Sequence, residues 1–310
     1  MIINKKYKVL LLGYSNIAKK RYINTFVKKK IPFCVASKSF NKKIKGAYKQ
    51  FDNYNDAIKF SDANIVFISL PNSLHYYWSK QALLNGYHLI VDKPITVKRG
   101  QLKKLINIAK KKNLLISEAT YFNYHNQFEF IRKKCGNFNN IQQILVNFTI
   151  PMPKKKSLLL SKNFNGGVIM DMGPYVSSIK RIFFKDKYIK KYLILKKNLS
   201  GLIISLDIIL KFETKIFIGT FKFGGDYKNN IFIKCKNKSI EADRLFSPPD
   251  DKILKIKVDT LEKIKIFNIK KHNCFQDYFF EVLKNLKYKN FDYYNRRMIE
   301  DENFRLKLIK

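Results

Sequence analysis

Residues 65–118 read IVFISLPNSLHYYWSKQALLNGYHLIVDKPITVKRGQLKKLINIAKKKNLLISE, and their pattern decides the fold. Apolar runs at Ile65–Leu70, His88–Asp92 and Leu114–Ser117 alternate with two amphipathic segments. That is the pattern of parallel strands joined by crossover helices. Ser73 and Thr96 are the expected caps of those helices. Lys93, inside the tetrad Val91-Asp92-Lys93-Pro94, falls just past the carboxyl end of a strand. In open α/β sheets ligands bind along that edge. A lysine placed there, and followed by proline, is a poor core residue and a candidate working one.

Upstream, Tyr7–Leu12 reads as a buried first strand, and Gly13-Tyr14-Ser15-Asn16-Ile17-Ala18 as the turn into a helix. A dinucleotide fingerprint belongs at this place: its first glycine makes the tight turn and its second lets backbone approach the pyrophosphate. Gly13 and Ala18 fit the first and third positions, and Ser15 occupies the second. A side chain there crowds the phosphate path, although its hydroxyl can donate to a phosphate oxygen. Taken alone, the fragment also fits an ordinary strand-to-helix turn. Phe33–Ser37 is the expected second strand, followed by Lys38 and Ser39 with no carboxylate nearby. NAD-preferring folds place an acid there for the ribose hydroxyl, so Ser37 and Lys38 favour NADP slightly over NAD. The alternative is that Lys38 is one more solvated lysine.

The combination PNSLH, then ALLNGYHLIVDKP, then SEA closely resembles the Gfo/Idh/MocA family of nicotinamide-dependent oxidoreductases. The family hallmark is Glu-Lys-Pro; here Asp92-Lys93-Pro94 carries a carboxylate one methylene shorter. The similarity covers roughly the first two fifths of the chain and resumes at Asn165–Phe184. There Asn165-Gly166-Gly167 leads into Asp171-Met172-Gly173-Pro174-Tyr175. This resembles the family's glycine pair and Asp-x-Gly-x-His, with tyrosine for histidine, a variant found among ketosugar reductases and glucose-fructose oxidoreductase.

The resemblance implies a doubly wound parallel Rossmann-like sheet over residues 1–122 and an α+β substrate and oligomerisation domain, mainly antiparallel, over 123–310. Within the latter, Asn273–Leu286 reads as a helix packing through Phe275, Phe279 and Val282. The resemblance also implies NADP or NAD held by Gly13, Ser15, Asn16, Ile17, Ser37, Lys38, Leu70, Pro71, Asn72, His75, Asp92, Lys93 and Pro94. It implies catalysis by Lys93, Asp171 and Tyr175 on a sugar-like, possibly nucleotide-linked, substrate, and a homodimer or homotetramer. His75, alone in a helix's first turn, also reads as a surface or capping group. The family's usual Arg and Pro are replaced by Asn123 and Asn126, while Tyr124, His125 and Gln127 keep the flanking pattern.

The chemistry fits these residue types. Hydride transfer at a carbinol carbon changes the charge on its oxygen, and a positioned proton donor must follow it. Tyrosine is a poor base at its free pKa of about 10, and a nearby ammonium favours the phenolate. Lys93 and Tyr175 are both candidate proton carriers, with Asp171 orienting the lysine or holding a substrate hydroxyl. Were a helix to start near Met170, Asp171 and Tyr175 would share a face. Helix capping for Asp171 and interdomain packing for Tyr175 are the bland alternatives.

Bulk composition bounds the rest. The 310 residues suffice for two domains, and 46% hydrophobic content is globular. Sixty-two basic against twenty-three acidic residues leave a formal charge of +39. Because the lysines are spread along the chain rather than gathered in one stripe, a solvated basic surface is favoured over specific nucleic-acid binding. The four cysteines lack metal spacing and read as reduced thiols of a cytoplasmic protein; no metal site is expected. Neither a signal peptide nor a membrane span is expected, since Val9–Leu12 is short and Leu202–Leu210 is broken by Asp207. Two rival readings stand beside the enzyme: a non-catalytic dinucleotide or sugar sensor, and a basic nucleic-acid-binding protein.

Overall fold

The computed structural model describes residues 7–38 and 43–309, so Ser39 lies outside the described residues. Two compact units are present: the chain up to Thr120 with Phe275–Asn303, and Tyr121–Cys274 with Phe304–Lys310. The expected assignment of the whole of 123–310 to a second domain differs from this division, because the C-terminal segment returns to the first unit. The reason is aromatic packing: α8 (Cys274–Lys287) brings Phe275 to 4.5 Å from the Tyr22 ring and Phe279 to 5.3 Å from Phe26. Phe275, Phe279 and Val282, the face expected to be buried, are fully so.

The first unit holds strands β1 (Val9–Leu12), β2 (Phe33–Ala36), β3 (Ala47–Phe51), β4 (Ile65–Ile68), β5 (His88–Val91) and β6 (Ile116–Glu118). Their order is β3-β2-β1-β4-β5-β6, and every pairing is parallel. β1, β2, β4 and β6 are buried at every residue, as a sheet covered on both faces requires. The strand order reverses between β1 and β4, the crevice where dinucleotides bind in such sheets. β3 escapes sequence reading because AYKQF is an edge strand with exposed Tyr48 and Lys49.

Helices α2 (Tyr54–Phe60), α3 (Asn72–Leu84) and α4 (Gln101–Lys111) connect these strands. Asn53 caps α2 through its side-chain oxygen. Neither Ser73 nor Thr96 caps a helix. Ser73 lies inside α3, because Pro71 already provides the extended residue from which the helix starts at Asn72. The Thr96 hydroxyl donates to Glu302 instead, and α4 starts after Gly100. The Gln101 side chain accepts from the Val97 and Lys98 amides.

The second unit is an eight-stranded sheet in the order β14 (Ile264–Ile269), β13 (Leu254–Thr260), β12 (Lys238–Asp243), β11 (Lys228–Cys235), β7, β10, β9 (Ile203–Lys211) and β8. It is antiparallel except for the pairing of β7 (Ile141–Ile150) with β10 (Ile216–Phe223). One face, through Ile144, Val146, Phe148, Leu206, Ile208, Phe217 and Phe221, joins a core with α5 (Asn126–Cys135), α6 (Val168–Asp171) and α7 (Gly173–Phe183). β8 (Lys190–Lys197) also escapes sequence reading. It is an edge strand whose alternation is masked by four lysines in eight residues.

Candidate active site

The carboxyl edge of the parallel sheet is drawn as a line of backbone hydrogen bonds. Gly13 N–H donates to Ala36, Ser69 N–H to Leu12, Asp92 N–H to Ile68 and Ala119 N–H to Val91, at 2.7–2.9 Å. The residues immediately beyond β1, β4, β5 and β6 thus stand side by side. At Gly13 the backbone takes φ +100, and an added Cβ would lie 2.2 Å from the Ser69 carbonyl oxygen. Only glycine lets the turn after β1 pass the end of β4 this closely. The close approach that a dinucleotide turn needs is therefore present, and the residues fit NADP or NAD.

Ser15 occupies that turn with its hydroxyl tied back to the protein. Its Oγ lies 2.7 Å from Ser69 Oγ and accepts from Ala18 N–H at 3.1 Å, three residues on, as an N-cap does. Asn16 is exposed, Ile17 partly so, and Ser37 is buried beside exposed Lys38. Leu70, Pro71 and Asn72 follow β4; the Leu70 side chain is what the Gly13 turn packs on.

The Lys93 turn is pinned from three directions. Asp92 N–H bonds to β4 as above; Ile95 N–H donates to the buried Glu118 side chain at 2.8 Å; His75 Nδ1 lies 2.8 Å from the Pro94 carbonyl. The Lys93–Pro94 peptide is cis. His75 is wholly buried, and its Nε2 lies 2.8 Å from the Leu70 carbonyl. Its two ring nitrogens face backbone, so it fastens the turn and presents neither a surface nor a capping group. Burial pushes its pKa below the ordinary histidine value, against the pull of the two carbonyls and of Asp92.

Asp92 is the hub of the edge. One carboxyl oxygen accepts from the Tyr22 phenol and the other from Ser69 Oγ at 2.7 Å. Desolvation raises its pKa above the usual carboxylate range, while Tyr22, Ser69, His75 and Lys93 pull it down. Sequence reading misses Tyr22, Ser69, Glu118 and Glu302. The available signal is the polar residue ending an apolar strand, in IVFIS and LLISE.

In the second unit, Gly166 and Gly167 let the chain pass Leu159 and Ile203, whose carbonyl oxygens an added Cβ would meet at 2.4 and 2.9 Å. The segment holds two helices, with a break at Met172 (φ −106, ψ −18). Asp171 ends α6 and Tyr175 lies in the first turn of α7, so the two do not share one continuous helical face. Pro174 explains the break: it sits in the opening turn of α7, where a missing amide is tolerated. The Tyr175 ring packs on Phe122, Phe148 and Phe246 at 4.8–5.2 Å, all within this unit. Asn123 donates to Ser178 Oγ, while its buried Oδ1 has no hydrogen-bond partner among the described residues. Asn126 opens α5, with its amide on His272. None of the four cysteines is in a disulfide, and all are buried. Among the described residues no helix is long and apolar enough to cross a membrane.

A 3-2-1-4-5-6 parallel sheet with a glycine turn after its first strand is the arrangement of a dinucleotide-binding Rossmann-type unit. Residues 7–120 match the GFO_IDH_MocA model, the oxidoreductase family with an NAD-binding Rossmann fold. The chain is 26% identical over 177 residues to the dTDP-3,4-didehydro-2,6-dideoxy-alpha-D-glucose 3-reductase of Streptomyces violaceoruber, covering 54% of this chain and 52% of the relative. It is 24% identical over 217 residues to the enzyme of the same name from Actinomadura kijaniata, covering 69% and 65%. The matches thus span about half to two thirds of these relatives' lengths. The crystal structure of KijD10, a 3-ketoreductase from Actinomadura kijaniata in complex with NADP and TDP-benzene, superposes with a TM-score of 0.87. That match, at 18% identity over 95% of this chain and 94% of the other, shows that both units share its fold.

Proposed function

We propose that the protein is an NAD(P)-dependent oxidoreductase acting on a sugar-like CH–OH or carbonyl group, with a nucleotide-linked ketosugar as the favoured substrate and NADP as the slightly favoured cofactor. The observation that carries this is the Lys93 turn, an ammonium set on the carboxyl edge of a dinucleotide-type sheet by three separate pins. The names of the relatives support the substrate class. Gly13–Ile17 would hold the pyrophosphate, Ser37 and Lys38 the adenosine ribose, and Leu70–Asn72 the nicotinamide side.

When bound, the nicotinamide supplies or takes the hydride. Lys93 donates to the substrate oxygen as its charge changes, and Tyr175 or Lys93 carries the proton. Asp171 holds a substrate hydroxyl or orients the lysine. A cytoplasmic homodimer or homotetramer fits the second unit's other sheet face, where Tyr192, Ile209, Ile218, Leu145 and Phe232 form one cross-strand apolar row. Light scattering on the purified protein tests that assembly, and a monomer would exclude it.

The activity is tested by offering the purified protein NADPH or NADH with a panel of ketosugars and nucleotide-linked ketosugars. Consumption of one cofactor is expected, abolished in Lys93→Met with dinucleotide binding retained. Full activity of that variant would overturn the assigned chemistry. Tight cofactor binding with no turnover on any sugar would instead favour a sensor.

A further inference from the structure

Two departures from the family pattern, serine for the second glycine of the turn and aspartate for the glutamate before the lysine, meet in one hydrogen-bonded chain. Ser69 joins them: its Oγ donates to Asp92 Oδ2 and lies 2.7 Å from Ser15 Oγ. With Asp92 ionised, counting protons gives the chain one direction. An ionised carboxylate only accepts, so Tyr22 and Ser69 must both donate to Asp92. Ser69 has then spent its one proton, and the contact with Ser15 must use the proton of Ser15. Ser15 in turn accepts from Ala18 N–H.

In that state the Ser15 proton is directed at Ser69 rather than at a phosphate. The Ser15 side chain is drawn toward β4, which clears the path that a side chain at this position would otherwise obstruct. The partners lie 54 and 23 residues apart in the chain, and they meet only because β1, β4 and β5 are neighbours in the sheet. Tyr22, on the helix that the turn opens, reaches the other carboxyl oxygen, so one carboxylate holds both the turn and its helix. The charged or titratable groups facing Asp92 are Tyr22, His75 and Lys93.

We propose that Asp92 is a positioning residue for the dinucleotide: acting through Ser69, it fixes the rotamer and proton of Ser15 and so the shape that the Gly13–Ile17 turn offers to the pyrophosphate. This rests on the reading that the turn binds the pyrophosphate of NAD(P). A competing role, in which Asp92 serves only its neighbour Lys93, acts at the nicotinamide end and separates from this one by ligand.

The test measures dissociation constants of NADPH, ADP-ribose and adenosine for the wild type, Ser69→Ala, Asp92→Asn and the double variant. Ser69→Ala and Asp92→Asn are each expected to weaken NADPH and ADP-ribose about tenfold, the scale of one hydrogen bond to a charged group, and to leave adenosine unchanged. The double variant should be no worse than the weaker single. Should Asp92→Asn fail to fold, as judged by thermal melting, Ser69→Ala in a Ser15→Ala background replaces it. With no hydroxyl at position 15 to orient, Ser69→Ala should leave NADPH and ADP-ribose binding unchanged, and a loss of about tenfold in that background would overturn the proposal. Losses that multiply in the double variant, or a loss confined to NADPH with ADP-ribose unaffected, would overturn the proposal while leaving the enzyme reading intact. A wild type that binds neither NADPH nor ADP-ribose overturns the reading of the turn itself, and this proposal with it.

Discussion

His75 Nδ1 stands 2.8 Å from the carbonyl oxygen of Pro94, tying the first turn of α3 to the peptide that follows Lys93. The other ring nitrogen faces the Leu70 carbonyl. His75→Ala leaves both acceptors without the ring and opens a cavity, so it should cost about 2–4 kcal/mol, read as a lower urea midpoint. His75→Gln, whose amide carries two N–H groups, should lose less. Equal losses in the two variants would assign the ring to packing alone.

The glycine turn admits a controlled comparison. Gly13→Ala places a Cβ on the Ser69 carbonyl in a left-handed conformation, and should destabilise by more than about 2 kcal/mol and abolish NADPH binding. Gly86→Ala, at φ +84 with nothing within 4 Å of the new Cβ, should cost only the conformational penalty of about 1 kcal/mol. Thermal melts and cofactor titrations on the pair separate the clash from the dihedral strain.

A pH dependence follows from His88, the first residue of β5. Its Nδ1 accepts from Leu115 N–H at 3.1 Å, which a protonated ring cannot do, and burial pushes its pKa from 6.5 down to about 4. The folded state then binds fewer protons than the unfolded one between those values. This stability is complete above pH 6.5 and is lost as the pH falls toward 4, by about 3 kcal/mol at most. His88→Asn, which keeps an acceptor and cannot titrate, should flatten denaturant midpoints over that window. An unchanged slope would exclude His88 as its source.

Tyr175 combines a packed ring with the proposed proton role. Tyr175→Phe keeps the contacts with Phe122, Phe148 and Phe246, and should change stability by less than about 1 kcal/mol while lowering ketosugar turnover at least about a hundredfold. Tyr175→Ala should cost about 3–5 kcal/mol. Full turnover in Tyr175→Phe would leave Lys93 as the proton carrier.

Most of the first unit is legible in the sequence because its grammar is local. The buried strands at β1, β2, β4 and β5 announce themselves as unbroken apolar runs, and α4 as an apolar stripe at Leu102, Leu105, Ile106 and Ala109. Strands that lie at an edge and carry lysines, β3 and β8, give no such signal, since an exposed face need not be apolar. The break between Asp171 and Tyr175 is hidden for a related reason: residue spacing translates into a shared face only along a continuous helix, and Met172 interrupts this one.

From its sequence alone this chain determined a parallel α/β half with Lys93 beyond a strand end, because strand and helix periods are properties of a few consecutive peptides. Tertiary structure alone decided which side chains fasten the turn that carries that lysine and the glycine turn after β1. Ser15, Tyr22, Ser69, Asp92 and Glu118 come from segments far apart in the chain, and the energy of a buried hydrogen bond depends on distance in space, which strand order sets and sequence separation does not.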